Sequence, residues 1–438
     1  MNAGYRNTVL KRSAVWAVVV ALPLSACADH ANLSVAAGSG PSPQLPPQKT
    51  TLLPTLKIAP ARGWASGVAP IAGKGVSITA IARGLEHPRW LYVLPNDDIL
   101  VAETNAPPKP EDSKGLKGWI TKLVMKRAGA VTPSANRISL LRRHPGRETY
   151  DRFILMDGLN SPFGMALLGD GLYVADSDAL LRFPFRLGQT RVNDAGVKVT
   201  DLPAGPINHH WTKNVVSSAD GRTLFVAVGS NSNAGENGMA TESGRAAIWA
   251  VDPRTGSHTI FASGLRNPVG MGIEPRTGAL WAAVNERDEL GSDLVPDYMT
   301  RVRRGAFYGW PYSYYGHHVD PRPQPPRPDL VAKAIPPDYA LGLHTASLGL
   351  AFGEHGAFIG QHGSWNRNPP SGYKVIFVPF HKGRPSGPSR DVLTGFRDEH
   401  GNAYGRPVGV AIDGKGALLV ADDVGNTVWR VSPALPTN

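Results

Sequence analysis

The sequence predicts an all-β fold, a six-bladed β-propeller, on three observations. One strand-turn-strand theme recurs six times along the chain. Segments that follow several copies alternate apolar and polar residues with period two. No stretch carries the long apolar period of an amphipathic helix.

The copies follow one another in order. The first, GLEHPRWLYVLPNDDILVAET from Gly84, runs from a Gly-Leu start through a short apolar strand and an Asn/Asp turn to a second apolar strand ending near an acid. GLNSPFGMALLGDGLYVADSD from Gly158 repeats it with a Gly-Asp-Gly turn, and HHWTKNVVSSADGRTLFVAVGS from His209 with an Asp-Gly turn. GLRNPVGMGIEPRTGALWAAVNE from Gly264, SLGLAFGEHGAFIGQHGS from Ser347 and YGRPVGVAIDGKGALLVADD from Tyr404 complete the set. Third strands are visible as AIWAVDP (Ala247–Pro253), VIFVPF (Val375–Phe380) and TVWRV (Thr427–Val431). One such unit leaves both faces of its sheet open to water, and stacking the units around an axis buries them against each other. Two sandwiches are the rival all-β arrangement, but they do not predict the same theme six times. Uneven spacing places long insertions between strands, as from Arg287 to Pro337.

Ahead of the repeats, residues 1–26 hold Arg6, Lys11 and Arg12 and then the apolar run AVWAVVVALPLSA, the order of a secretory signal peptide. That run is short for a membrane span. LSAC, ending in Cys27, resembles a bacterial lipobox, which implies a lipid on Cys27 and a cell-envelope address. Ala28 in the next position implies the periplasmic face of the outer membrane. Residues 27–75 are rich in Pro, Ala, Gly and Ser and read as a flexible tether, with the propeller domain over 76–438. Cys27 is the single cysteine of the chain, so disulfides and thiolate catalysis are excluded from the domain.

The formal net charge is +11 without any Lys/Arg run, which suits an anionic ligand or an acidic membrane surface and gives no support to nucleic-acid binding. The chain has no P-loop, no Gly-x-Gly-x-x-Gly after a strand, no His-Glu-x-x-His and no Gly-x-Ser-x-Gly. Nucleotide cofactors, zinc proteolysis and serine hydrolysis therefore lack their usual support. GSNSNAGENG, from Gly229, reads as a polar loop rather than a phosphate cradle.

Three segments carry a family resemblance: GLRNPVGMGIEPRTGALWAAVNERDELGSDLVPD with FYGWPYSYYG downstream, HHWTKNVVSSADG, and GQHGSWNRNPPSGYKVIFVPF. Together they resemble the soluble, pyrroloquinoline-quinone-dependent aldose dehydrogenases, and most closely their sorbosone-dehydrogenase-like branch, over about Ile78 to Val431. The resemblance implies a sugar substrate, pyrroloquinoline quinone (PQQ) and calcium as cofactors, and a quinone or cytochrome as electron acceptor. It assigns the general base to His210 and cofactor contacts to Arg266, Asn267 and Arg406. Arg367 stands in for a family lysine, and the carbonyls of Glu286 and Arg287 are the implied calcium ligands. The sequence departs from the pattern in having no lysine at that place, in Val408 where the family has a second arginine, and in the loop from Glu286 to Asp297, which aligns only with a gap.

The chemistry asks for such residues. PQQ carries three carboxylates, and arginine offers each a planar fork that keeps its charge. Oxidising an anomeric hydroxyl needs a base near neutrality, which a histidine supplies; His209 competes with His210 for that role. Asp288, Glu289 and Asp293 form an acidic cluster suited either to a hard cation or to solvent. Tyr308, Trp310, Tyr312, Tyr314 and Tyr315 suit sugar stacking and insertion packing equally. A calcium-dependent lactone hydrolase and a non-catalytic propeller binding glycan or protein are the alternative functions, since a propeller does not fix an activity.

Overall fold

The protein is described by a computed structural model over residues 29–49, 55–108, 127, 129 and 132–433. Residues 1–28, with the leader, Cys27 and Ala28, lie outside the described residues, as do residues 50–54 of the expected tether. Among the described residues no helix is long and apolar enough to cross a membrane.

Six antiparallel sheets stand around one axis in the order of the six repeats, the propeller that the sequence predicts. From the axis outward the first blade is Pro88–Val93, Ile99–Glu103, Arg137–Arg143 and Tyr150–Met156. The second is Met165–Leu168, Gly171–Ala175, Ala179–Pro184 and Val197–Asp201. Val215–Ser217, Leu224–Val228, Ala247–Val251 and His258–Ser263 make the third. The fourth is Asn267–Ile273, Leu280–Asn285, Pro296–Arg301 and Tyr339–Leu343, and the fifth Ser347–Gly353, Gly356–Gln361, Lys374–His381 and Arg390–Thr394. In the sixth, Pro407–Ile412, Leu418–Asp422 and Thr427–Pro433 are joined by the N-terminal strand Val76–Arg83, which pairs Trp429 with Ala80 and so closes the ring.

The second strand of each blade is buried almost throughout, because both of its faces meet neighbouring blades. The innermost strands approach most closely where the repeat places glycine. A Cβ on Gly349 would lie 2.1 Å from the Val408 carbonyl oxygen, and one on Gly409 would lie 2.6 Å from that of Arg89. The apolar plug around the axis is Trp90, Phe163, Trp211, Val269, Leu348 and Val408.

The expected free tether differs from its described residues, which run along the propeller. Ser39–Gly40 adds an edge strand to the fourth blade against Ala340 and Leu341, and Ile71–Ala72 adds one to the fifth against Leu393 and Thr394. Ala59 is buried, and Trp64 stacks on Tyr404 and donates to Asp422 at 2.6 Å. Much of this docking uses backbone groups, which leave no periodic trace in a Pro-rich sequence.

Candidate active site

In a propeller of this connectivity the starts of the innermost strands and the ends of the second strands share one end of the axis. That end collects the polar and charged residues of the repeats. Asp423, 1 % exposed, follows the second strand of the sixth blade. Its Oδ2 accepts from Arg89 Nη1 at 2.9 Å and meets His362 Nε2 at 2.9 Å and His87 Nε2 at 3.5 Å. His87, Arg89, His362, Arg406, Asp423, Ile58 and Trp365 are among the residues that line a cavity of about 190 Å³ at this mouth. Arg406 lies over the Tyr373 ring and donates to the Ala59 carbonyl at 3.1 Å.

Burial pushes His87 down to about 4, against the pull of Asp423. His362 is lowered by burial too, again opposed by Asp423. Burial alone would raise Asp423, but His362, His87 and Arg89 hold it far below the carboxylate range. The mouth thus carries a fixed anion surrounded by nitrogen side chains. The Nε atoms of Arg89 and Arg406 and Oδ1 of Asp423 are buried and have no hydrogen-bond partner. Two permanently charged guanidiniums with orphaned donors fit a polyanionic planar ligand such as PQQ.

Across the axis, Trp211 sits under the Arg89 guanidinium at 5.7 Å and joins this cluster to His210. His210 Nδ1 lies 2.8 Å from the Ser230 carbonyl and 3.0 Å from Ser230 Oγ, whose own hydrogen goes to the Ser232 carbonyl at 2.7 Å. Both oxygens act as acceptors towards the ring, so Nδ1 carries the hydrogen and Nε2 the lone pair. A Cβ on Gly229 would lie 2.5 Å from both Asn267 Oδ1 and His210 Cβ, which puts these two residues side by side. Asn267 Oδ1 is buried without a partner.

Arg266 precedes Asn267, and the polar loop read from Gly229 holds it: Nη2 donates to Asn233 Oδ1 at 3.0 Å and Nε to the Asn233 carbonyl at 3.2 Å. Nη1 donates to the Glu286 carbonyl at 2.7 Å, and Asp288 lies 3.5 Å away. Arg266 therefore buttresses the loops around His210 and Asn267.

Two sequence expectations are corrected. Arg367 turns away from the mouth: it donates to the carbonyls of Leu33 at 2.7 Å and Pro369 at 2.9 Å and pairs with Asp293 at 3.6 Å. His362 occupies the mouth on that blade instead. The implied calcium ligands do not fit a cation, because the Glu286 carbonyl already holds the Arg266 guanidinium and a second positive charge there would be repelled. Arg287, 0 % exposed, is spent on Glu286, Asp320 and the carbonyls of Pro311 and Ser313. The acidic cluster likewise serves protein groups, Asp288 meeting Arg266 and His344 and Asp293 accepting from the Asn32 and Leu33 amides. Tyr308, Trp310, Tyr312 and Tyr314 are buried in the insertion and are not among the residues that line the mouth cavity.

His87, Arg89, His362 and Asp423 were not singled out from the sequence, although each stands at a blade terminus inside a repeat or beside a proline. A larger cavity of about 470 Å³ lies between residues 35–41 and the fourth and fifth blades, but its cation, Lys374, is paired with Asp391 at 2.7 Å.

Residues 142–302 and 330–434 match the TrAA12-like family. A pyrroloquinoline quinone-dependent pyranose dehydrogenase of Coprinopsis cinerea is 27 % identical over 294 residues, covering 51 % of this chain and 39 % of the relative. A protein of Borreliella burgdorferi is 28 % identical over 247 residues, covering 52 % of this chain and 62 % of its own. The chain thus spans between 39 and 62 % of the length of these curated relatives. The PQQ domain of the Coprinopsis cinerea pyranose dehydrogenase, in its holo form, superposes with a TM-score of 0.68 at 18 % identity, over 86 % of this chain and all of that one, a likeness of fold.

Proposed function

The chain belongs to the TrAA12-like family, and from that premise we propose that it is a sugar dehydrogenase that holds PQQ at the axial mouth. The observation that carries this reading is the gathering of Arg89, Arg406 and His362 around one cavity, with Trp211 under Arg89 and, next to it in the chain, His210, whose Nδ1–H is fixed by Ser230. Arg89 and Arg406 would hold the cofactor's carboxylates, and Asn267 would add a polar contact beside His210. When bound, PQQ supplies the acceptor for the hydride that leaves the sugar's anomeric carbon. His210 Nε2 takes the hydroxyl proton as the carbon–oxygen double bond of the lactone forms. Trp211, Phe163 and Trp90 form an apolar floor under the mouth. No step is routed through Glu286 and Arg287.

The proposed substrate is an aldose or a related sugar aldehyde of the sorbosone type, and the proposed acceptor a respiratory quinone or cytochrome. Cys27 is the proposed lipid anchor. Asp29, two residues beyond it, accepts from the Ser292 amide at 2.7 Å on the loop of the fourth blade at the mouth end, so a lipid on Cys27 would hold this end of the propeller toward the membrane. A lactone hydrolase calls for carboxylates converging on the axis, whereas Asp423 stands there among cations.

The test is reconstitution of the purified protein with PQQ and dye-linked turnover on a panel of aldoses. The wild type should reduce dye in a sugar-dependent way. His210→Ala should bind PQQ with affinity within about threefold and lose turnover by about 100-fold or more, the usual span of a general base. Full turnover in that variant would remove His210 from the reaction.

A further inference from the structure

Lys213 stands three residues after His210, and its side chain is 0 % exposed. Burying a cation that completely is costly unless it is neutral or well bonded. Its Nζ donates to the carbonyl of His210 at 3.3 Å and to that of Trp211 at 3.2 Å. One amine thus holds two successive carbonyls of the chain. Burial, with Arg245 adding to it and Asp178 opposing, holds the amine well below the usual lysine range.

The two carbonyls belong to the irregular stretch that brings His210 and Trp211 to the mouth before the strand Val215–Ser217 begins. Nothing regular fixes a backbone of that kind. Arg245 ties the approach to it, donating to Asn208 Oδ1 at 3.1 Å, the Gly229 carbonyl at 3.4 Å and the Ala204 carbonyl at 2.6 Å. Ser230 orients the ring itself. Lys213 holds the main chain of His210 through its carbonyl.

We propose that Lys213 is a positioning residue, which clamps the His210–Trp211 backbone so that the imidazole keeps its hydrogen bond to Ser230 and its Nε2 keeps one direction at the mouth. The proposal rests on the reading of His210 as the base. A misplacement of about 1 Å at such a base costs about 100-fold in rate.

The experiment compares the wild type with Lys213→Met, which keeps the length and loses both donors, and Lys213→Gln, which keeps an NH2 on a shorter arm. In the protein before PQQ is added, ¹⁵N-histidine spectra report the His210 Nδ1–H, identified by its loss in His210→Ala. After PQQ is added, binding, KM and kcat follow. The Met variant should show Nδ1–H exchange at least about tenfold faster and kcat lower by about 30- to 100-fold, with KM and PQQ affinity within about threefold. The Gln variant should recover at least about a third of the lost rate on a logarithmic scale. A folded Met variant with the wild-type Nδ1–H signal and kcat within threefold overturns the clamp. Should the Met variant not fold, the same readouts on Lys213→Leu, which also lacks both donors, decide, and wild-type behaviour there overturns it as well. A wild type that shows no PQQ-dependent turnover, while the Nδ1–H of the variants still changes, overturns the dehydrogenase reading and leaves the clamp standing.

Discussion

Asp423 sets the charge of the mouth one side chain at a time. Its Oδ2 is shared by Arg89, His362 and His87, and burial keeps His87 neutral down to about pH 4. In the unfolded chain that histidine titrates near 6.5. Between those values the unfolded state binds more protons than the folded one, so stability falls as pH drops through the window. The difference of about 2.5 pKa units corresponds to about 3 kcal/mol when complete. His87→Gln should remove this contribution: its stability relative to the wild type should rise as pH falls from 6.5 to 4 in urea unfolding. A pH-independent difference between the two proteins would show that His87 is not held neutral. Asp297 has the opposite sign, since burial pushes it up to about 6 although Glu286, Ser347 and Thr345 all donate to it, so its contribution favours the folded state at lower pH.

At the scale of elements, the N-terminal segment is part of the mouth's wall. Asp293 accepts from Asn32 N at 2.7 Å and Leu33 N at 3.2 Å, while Arg367 binds the Leu33 carbonyl from the other side. Further along, the Lys57 amide donates to the Trp365 carbonyl at 2.8 Å and Ile58 lines the cavity. Asp293→Ala takes a charged acceptor from two amides and strands Arg367. A hydrogen bond to a charged group contributes about 1.5–3 kcal/mol. The Asn32 and Leu33 amides should therefore exchange at least about tenfold faster in the variant, with protection in the inner strands unchanged. Exchange equal to the wild type at those two amides would mean that the segment is docked by other contacts.

At the scale of the molecule, the six blades were legible because each repeat carries its own turn between two apolar strands, and a stacked fold needs that in every copy. The placement of His210, Arg266, Asn267 and Arg406 at one end of their blades was legible for the same reason, since each precedes or opens an innermost strand of a repeat. The Asp423 cluster was not. His87 and Asp423 lie near opposite ends of the sequence and meet only because Val76–Arg83 closes the sixth blade against Thr427–Pro433. Arg367 misled because it stands beyond the second strand of its blade, in a loop whose direction depends on a partner, Leu33, that composition alone made a tether. The donor set at Glu286 failed for a related cause: which group takes a carbonyl is decided by tertiary neighbours, here Arg266.

The central claim is that the mouth between Arg89, Arg406 and His362 binds PQQ. Calorimetric titration of PQQ into the wild type, Arg89→Met, Arg406→Met and Arg367→Met tests it most directly. One saturable site is expected, weakened by about 10- to 100-fold in each of the first two variants, the loss of a charge-assisted contact of about 1.5–3 kcal/mol, and by less than about threefold in Arg367→Met. Absence of saturable binding in the wild type, or equal weakening by Arg367→Met, would contradict the account.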